Sequence, residues 1–311
     1  MTCILSALNG HVFLEILKHM DLPTLLVLKR TSRTADDHIS HYLASKLRVL
    51  LTRSFTHPDL FRSLLRDADS IISGSTALAF LLPEYLGWTP NDLDIYTPYG
   101  AFDVVIAHLV GIQSFQRVPI AEHEHYENEG IEEIARVKNG SIYVDIIRSK
   151  TDSPLHPLPF FWMTAAMNAL SADGICAPYP RITGDLCALV NPLFVTAGGD
   201  PVPHLAPLID KYQHRGFTIR TQQRAWCHEP DHPDGSPGKH TGCCACAVRV
   251  FGDEFCLRAS FYQYTRPIED VISRRNMSVL WRRGGHPCDN RCVGFSGLTL
   301  LEVEDISTSY Y

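Results

Sequence analysis

A chain of 311 residues with 45% hydrophobic and 20% charged residues has the material for one large or two modest packed domains, which excludes a disordered or fibrous protein. The formal net charge of -6 argues against a general nucleic-acid binder, which carries a basic footprint, while leaving a nucleotide held through metal open. The opening MTCILSALNGHVFLEILKHM lacks a basic lead and is interrupted by Asn9, His11, Glu15 and Lys18, so neither a signal peptide nor a membrane span is expected.

With no secretory signal, the ten cysteines read as free thiols or metal ligands, and the expected compartment is cytosol or nucleus. Residues 1–50 read as helical throughout. Val12, Ile16, Leu17 and Met20, then Leu25, Leu26 and Leu28, recur near the helical period. The segment VFLEILKHMDLPTLLVLKRTSR resembles the F-box, with Leu14, Ile16, Leu17, Leu25, Leu26 and Leu28 on its apolar positions and Thr31, Ser32 and Arg33 on its closing segment. Leu8 and Asn9 stand where that family has Leu-Pro. The resemblance implies docking of residues 8–33 onto a Skp-type adaptor of a cullin ubiquitin ligase. It requires Leu25 to be available on the surface. The competing reading is a helical cap packed on the next domain. On either reading the segment ends near residue 52.

Helix continues over 40–67, with a break near His57 and Pro58. Ile71 and Ile72 then end a strand, Ser73, Gly74 and Ser75 form a tight turn, and a short helix over 76–82 stops at Pro83. Residues 91–96 alternate as a strand, so Asp92 and Asp94 share one face while Leu93 and Ile95 point into the core. Two adjacent carboxylates repel, and a hard divalent cation would remove that penalty. The turn at Gly74 and Ser75 offers free N–H groups and a positive helix end to an anion. Residues 98–113 form a second helix, with Phe102, Val105, Ile106 and Leu109 inward. The acidic run 122–127, with His123 and His125, is a solvated loop. Asn139 and Gly140 mark a hairpin turn between strands at 133–137 and 142–146. Asp145 sits inside the second strand, where an isolated Asp needs a function or a buried partner.

Gly-Ser, a helix, Asp-Leu-Asp and a third strand-borne Asp in this order resemble the nucleotidyltransferase fold of polymerase-beta-like enzymes. The likeness covers residues 65–170. It implies an α+β core with a mixed sheet and flanking helices over 53–170. It also implies an NTP whose phosphates meet Gly74 and Ser75, and two Mg²⁺ ions bridged by Asp92 and Asp94. Asp145 would complete the second metal site or orient the acceptor hydroxyl. Two departures stand out: sixteen residues separate Ser75 from Asp92, and a single glycine precedes the serine. A nucleotidyl transfer to an unknown acceptor is the function implied. The rival is a non-enzymatic F-box adaptor on a transferase-derived scaffold, and a nucleotide-sensing pseudoenzyme is a third reading.

Beyond the core, residues 171–311 read as a C-terminal α/β extension. The apolar stretch 158–170, LPFFWMTAAMNAL, is expected as a helix across the sheet. Residues 206–212 form a helix closed by Gly216, where Lys211, His214 and Arg215 are read as complementing the helix C-terminus in preference to contacting a phosphate. A loop fills 226–244, followed by a late hairpin of 245–250 with 254–261. Cys243 and Cys246 have C-x₂-C spacing, and Cys288 and Cys292 have C-x₃-C. Four such thiolates suit tetrahedral Zn²⁺, against the competing reading of ordinary buried cysteines.

Overall fold

Four helices lead into the sheet: α1 (Gly10–Lys18), α2 (Leu22–Lys29), α3 (Arg33–Ser54) and α4 (Pro58–Asp67). They belong to a computed structural model that describes residues 10–120, 128–222, 244, 247–262, 279–285 and 297–301. Local chemistry accounts for the helix starts. Asp21 caps α2 by accepting from the Thr24 backbone N–H at 2.9 Å, and Ser32 caps α3 by accepting from that of Ala35 at 3.1 Å. Pro58 occupies the first turn of α4, where no N–H is needed.

The inward faces of these helices and of the sheet form one core. Leu17, Leu22, Leu25, Ile39, Leu43, Leu47 and Leu51 pack in the same cluster as Ile72, Leu93, Ile95, Val144 and Ile146. Leu25 is only 2% exposed, so the surface availability that the F-box resemblance required of it is not met. A leucine pattern at helical spacing serves core packing equally well, and here Leu17 and Leu25 serve it. Leu26 and Leu28 lean against the same core, and Leu14 and Ile16, with Val12 and Val27, face outward. The expected boundary at 52/53 falls inside α3. Lys29 ties the helices to the far sheet edge, donating to the backbone carbonyls of Ser260 at 3.0 Å and Tyr262 at 2.8 Å.

The protein is α+β, with a mixed sheet of eight strands among the described residues, ordered β11-β7-β6-β1-β2-β5-β4-β3. Their ranges are β1 (Ile71–Ser73), β2 (Asp92–Thr97), β3 (Gln116–Val118), β4 (Ile131–Asn139), β5 (Ile142–Ser149), β6 (Ala169–Leu170), β7 (Gly174–Ala177) and β11 (Leu257–Ser260). All neighbours are antiparallel except β2 and β5, which run parallel with Asp94 beside Asp145. Between β1 and β2 lies α5 (Gly74–Leu81), and α6 (Phe102–Gly111) follows β2. The β4–β5 hairpin turns at Asn139 and Gly140, with Gly140 at φ +58°. Strands β7 and β11, beyond residue 170, complete this same sheet.

Two expected elements differ. Residues 158–170 are no helix: they form single 3₁₀ turns at Leu158–Phe160 and Thr164–Ala166, and then β6. Pro157 and Pro159 remove donors at the start, and Asn191 holds the irregular backbone by donating to the carbonyls of Pro159 at 2.8 Å and Phe161 at 3.0 Å. The apolar side chains are core, as their composition suggests: Met163, Met167 and Phe160 are buried. Nor do the late strands form a hairpin. β10 (Val248–Val250) pairs with β12 (Leu280–Arg282), whereas β11 pairs with β7. Asp253 steers the chain between them, accepting from Arg249 at 2.6 Å and from the backbone N–H groups of Phe255 and Cys256 at 3.0 Å each.

Cys243, Cys246, Cys288 and Cys292 lie outside the described residues, as do residues 122–127. Of the described cysteines, Cys176 and Cys244 are buried. No helix among the described residues is long and apolar enough to cross a membrane.

Candidate functional site

The site forms where β1 ends. Ser73 is paired with Asp94 in the β1–β2 register, and its buried hydroxyl donates to the Asn168 carbonyl at 2.7 Å. The chain then turns into α5 through Gly74 at φ +64°. A Cβ at this position would meet Asp94 Oδ2 at 2.6 Å. Backbone angle and contact both demand glycine here. One residue on, Ser75 Oγ donates to Asp92 Oδ1 at 3.2 Å, and Thr76 Oγ1 donates to the Asp92 carbonyl at 2.9 Å. The start of α5 is therefore stitched to the aspartate strand. The long insertion between Ser75 and Asp92 does not disturb this, because it finishes the helix and then runs through a 3₁₀ turn at Glu84–Leu86 closed by Gly87 at φ +74°.

As the alternation of β2 predicts, Leu93 and Ile95 are buried and Asp92 and Asp94 lie on the other face. Asp94 Oδ1 is sealed from solvent with no hydrogen-bond partner among the described residues. Burial foremost, then the charges of Asp92 and Asp145, push the Asp94 carboxyl well above the ordinary carboxylate range. Lys211 and Arg136 pull the other way. A carboxyl so placed is short of a cation.

Asp145 differs in its surroundings. It is 3% exposed, and both of its oxygens accept from Arg136, Oδ1 from Nε at 2.6 Å and Oδ2 from Nη2 at 2.8 Å. Arg136 is its direct cross-strand partner on β4. The partner that an isolated strand Asp needs is thus a guanidinium. Among the described residues, no group of three His, Cys, Asp or Glu side chains is gathered as a metal-holding set. Asp92 and Asp94 are a pair, and Asp145 stands beside them already engaged.

A second contribution comes from α8 (Ala206–His214), which follows the short helix α7 (Pro180–Gly184). Lys211 is close enough to lower the Asp94 pKa, and the Tyr212 hydroxyl, pushed up to about 12 chiefly by burial, also feels Arg215, Asp92 and Asp94. Arg215 lies over the rings of Trp88 at 4.2 Å and Tyr212 at 4.8 Å. Lys211 and His214 sit in the last turn of α8, as the helix-end reading has them, and His214 Nδ1 lies 2.7 Å from the Asp210 carbonyl. A signal for Lys211 lay in its four-residue spacing from Arg215, the residue that ends α8, which sets two cations near one helix end. Arg136 was also within reach. Hairpin pairing counted outward from Asn139 and Ile142 sets residue 136 against 145.

A cleft of about 1010 Å³ runs along α1 and α3, past Lys18, Tyr42, Lys46 and Trp88, and reaches Thr76 and Asp92 at one end. Its walls do not include Gly74, Ser75, Asp94 or Asp145, so it abuts the carboxylates at Asp92 alone. Comparison with protein-family models, with curated proteins and with solved structures finds no match.

Proposed function

We propose that the protein is nucleotidyltransferase-like, with Asp92 and Asp94 holding Mg²⁺ against the phosphates of an NTP. The observation that carries this reading is the contact between turn and strand: Gly74 leaves room for Asp94 and no more, and Ser75 bonds Asp92. The positive end of α5 and Ser75 favour carboxylates here, yet Asp94 Oδ1 still lacks a hydrogen-bond partner among the described residues. The donor set suits a hard cation. It is all oxygen, and Asp94 Oδ1 is buried without a partner. When bound, the cation would neutralise the phosphate oxygens and the developing pyrophosphate. Ser75 keeps Asp92 oriented, and the free N–H groups at the start of α5 face the anion. Lys211 adds positive charge from α8. In the reaction so read, an acceptor hydroxyl attacks the α-phosphorus of the NTP, its proton passes to solvent water, the bond from the α-phosphorus to the bridging oxygen breaks, and pyrophosphate leaves.

The test is Mg²⁺-dependent release of pyrophosphate from ATP, GTP, CTP and UTP by the full chain, alongside binding of each nucleotide by calorimetry. Binding in Mg²⁺ but not in EDTA, abolished by Asp94→Asn, is the expected result. Equal binding by Asp94→Asn and wild type contradicts it. Binding without turnover leaves the nucleotide-sensing reading in place of catalysis.

The adaptor reading required Leu25 on the surface; Leu25 is 2% exposed and packed in the core, so that reading is not carried further.

A further inference from the structure

We propose that Arg136 is a built-in counter-cation that occupies Asp145 and limits the carboxylate cluster to one divalent cation, held by Asp92 and Asp94. This rests on the reading of the cluster as a cation site. The geometry is a fork on a fork: two guanidinium nitrogens meet two carboxylate oxygens at 2.6 and 2.8 Å. Such a pair commits a lone pair on each Asp145 oxygen and sets a positive charge where a second ion would have to approach. Both side chains are withdrawn from water, at 4% exposure for Asp145 and 18% for Arg136. Freeing Asp145 for a metal would break both of these charge-assisted bonds in a site withdrawn from water, which is unfavourable.

Charge leads to the same count. The groups facing Asp94 are Asp92 and Asp145 on the negative side, and Arg136 and Lys211 on the positive side. With Arg136 cancelling Asp145 and Lys211 offsetting one of the other two carboxylates, the group keeps one net negative charge, too little to draw two divalent cations. Backbone register makes the arrangement permanent. Asp94 lies beside Asp145 in the β2–β5 pairing, and Asp145 lies opposite Arg136 in the β5–β4 pairing. A row of carboxylate, carboxylate and guanidinium therefore crosses three adjacent strands. The ion that the resemblance would give to Asp145 has its place filled by the protein's own cation.

Mn²⁺ binding to the full chain, counted by electron paramagnetic resonance and by calorimetry, tests this without reference to turnover. Wild type is expected to take about one equivalent, and Asp94→Asn none. Arg136→Gln frees Asp145 and is expected to take about two. Arg136→Gln also loses melting temperature in EDTA and regains it in Mn²⁺, which keeps the experiment readable if the variant is weakened. In the double variant Arg136→Gln/Asp145→Asn the count returns to about one. Two equivalents on the wild type, or one on Arg136→Gln with neither tighter binding nor a Mn²⁺-dependent gain in melting temperature, overturns the inference while leaving the nucleotide reading intact. No Mn²⁺ on the wild type overturns both.

Discussion

Gly74 carries two constraints that separate cleanly by mutation. Its φ of +64° strains any side chain, and its missing Cβ makes room for Asp94 Oδ2 at 2.6 Å. Gly74→Ala is expected to lower stability by about 1–3 kcal/mol in denaturant unfolding. In an Asp94→Ala background the loss should shrink to the backbone part alone, a coupling that a double-mutant cycle measures. Equal losses in both backgrounds would mean that Asp94 does not press on the turn. The three aspartates should also differ in stability. Asp145→Asn breaks the buried two-bond pair with Arg136, at a cost on the order of 3 kcal/mol. Asp94→Asn should behave oppositely. Its carboxyl has a folded pKa above the unfolded one, chiefly through burial, so between those two values the folded state holds the extra proton. Apo stability therefore falls as pH rises from about 4 through the folded pKa of Asp94. That decline should be missing in Asp94→Asn, as urea unfolding in EDTA across pH would reveal.

At the scale of elements, local signals and tertiary demands divide what the sequence could tell. Strand β2 was legible because strict alternation puts Leu93 and Ile95 inward, and the β4–β5 hairpin because Asn139-Gly140 permits few other turns. The stretch 158–170 misled because its apolar residues are core whichever backbone they adopt, and the prolines at 157 and 159 outweigh them. The late hairpin misled because two alternating strands around a turn need not pair with each other; Asp253 bends the chain and each strand finds another partner. The leucines of α1 and α2 posed a similar ambiguity, and burial resolves it residue by residue. Leu25→Ala is expected to cost about 2–5 kcal/mol, as for a sealed core leucine, while Ile16→Ala should be near neutral. Similar small losses at both positions would return Leu25 to the surface. Helix α8 has its own test. Lys211→Ala removes a charge that lowers the Asp94 pKa, so the pH-dependent loss of apo stability should extend to higher pH. NTP affinity should fall in the same variant.

For the molecule as a whole, the candidate site depends on contacts that no local pattern contains. Parallel pairing of β2 with β5 brings Asp145 beside Asp94 across an intervening helix and two strands, and α8 brings Lys211 from farther along the chain. Gly74, Ser75, Asp92, Asp94 and Asp145 were named from residue type and order, and the fold gathers them on adjoining elements. What order alone did not convey is that Asp145 already has a cation. Helices and sheet share one core, so unfolding should be cooperative across α1 to β7, and ligand binding at the carboxylates should stabilise the entire unit. Thermal unfolding of wild type and Asp94→Asn, each in EDTA and in Mg²⁺ with ATP, tests the central claim most directly. Relative to EDTA, the wild type should gain melting temperature in Mg²⁺ with ATP, corresponding to about 2.7 kcal/mol at a ligand concentration a hundred times Kd. Asp94→Asn should be at least as stable as wild type in EDTA and gain nothing. A wild type indifferent to Mg²⁺ and ATP, or an Asp94→Asn variant that responds equally, would contradict the account.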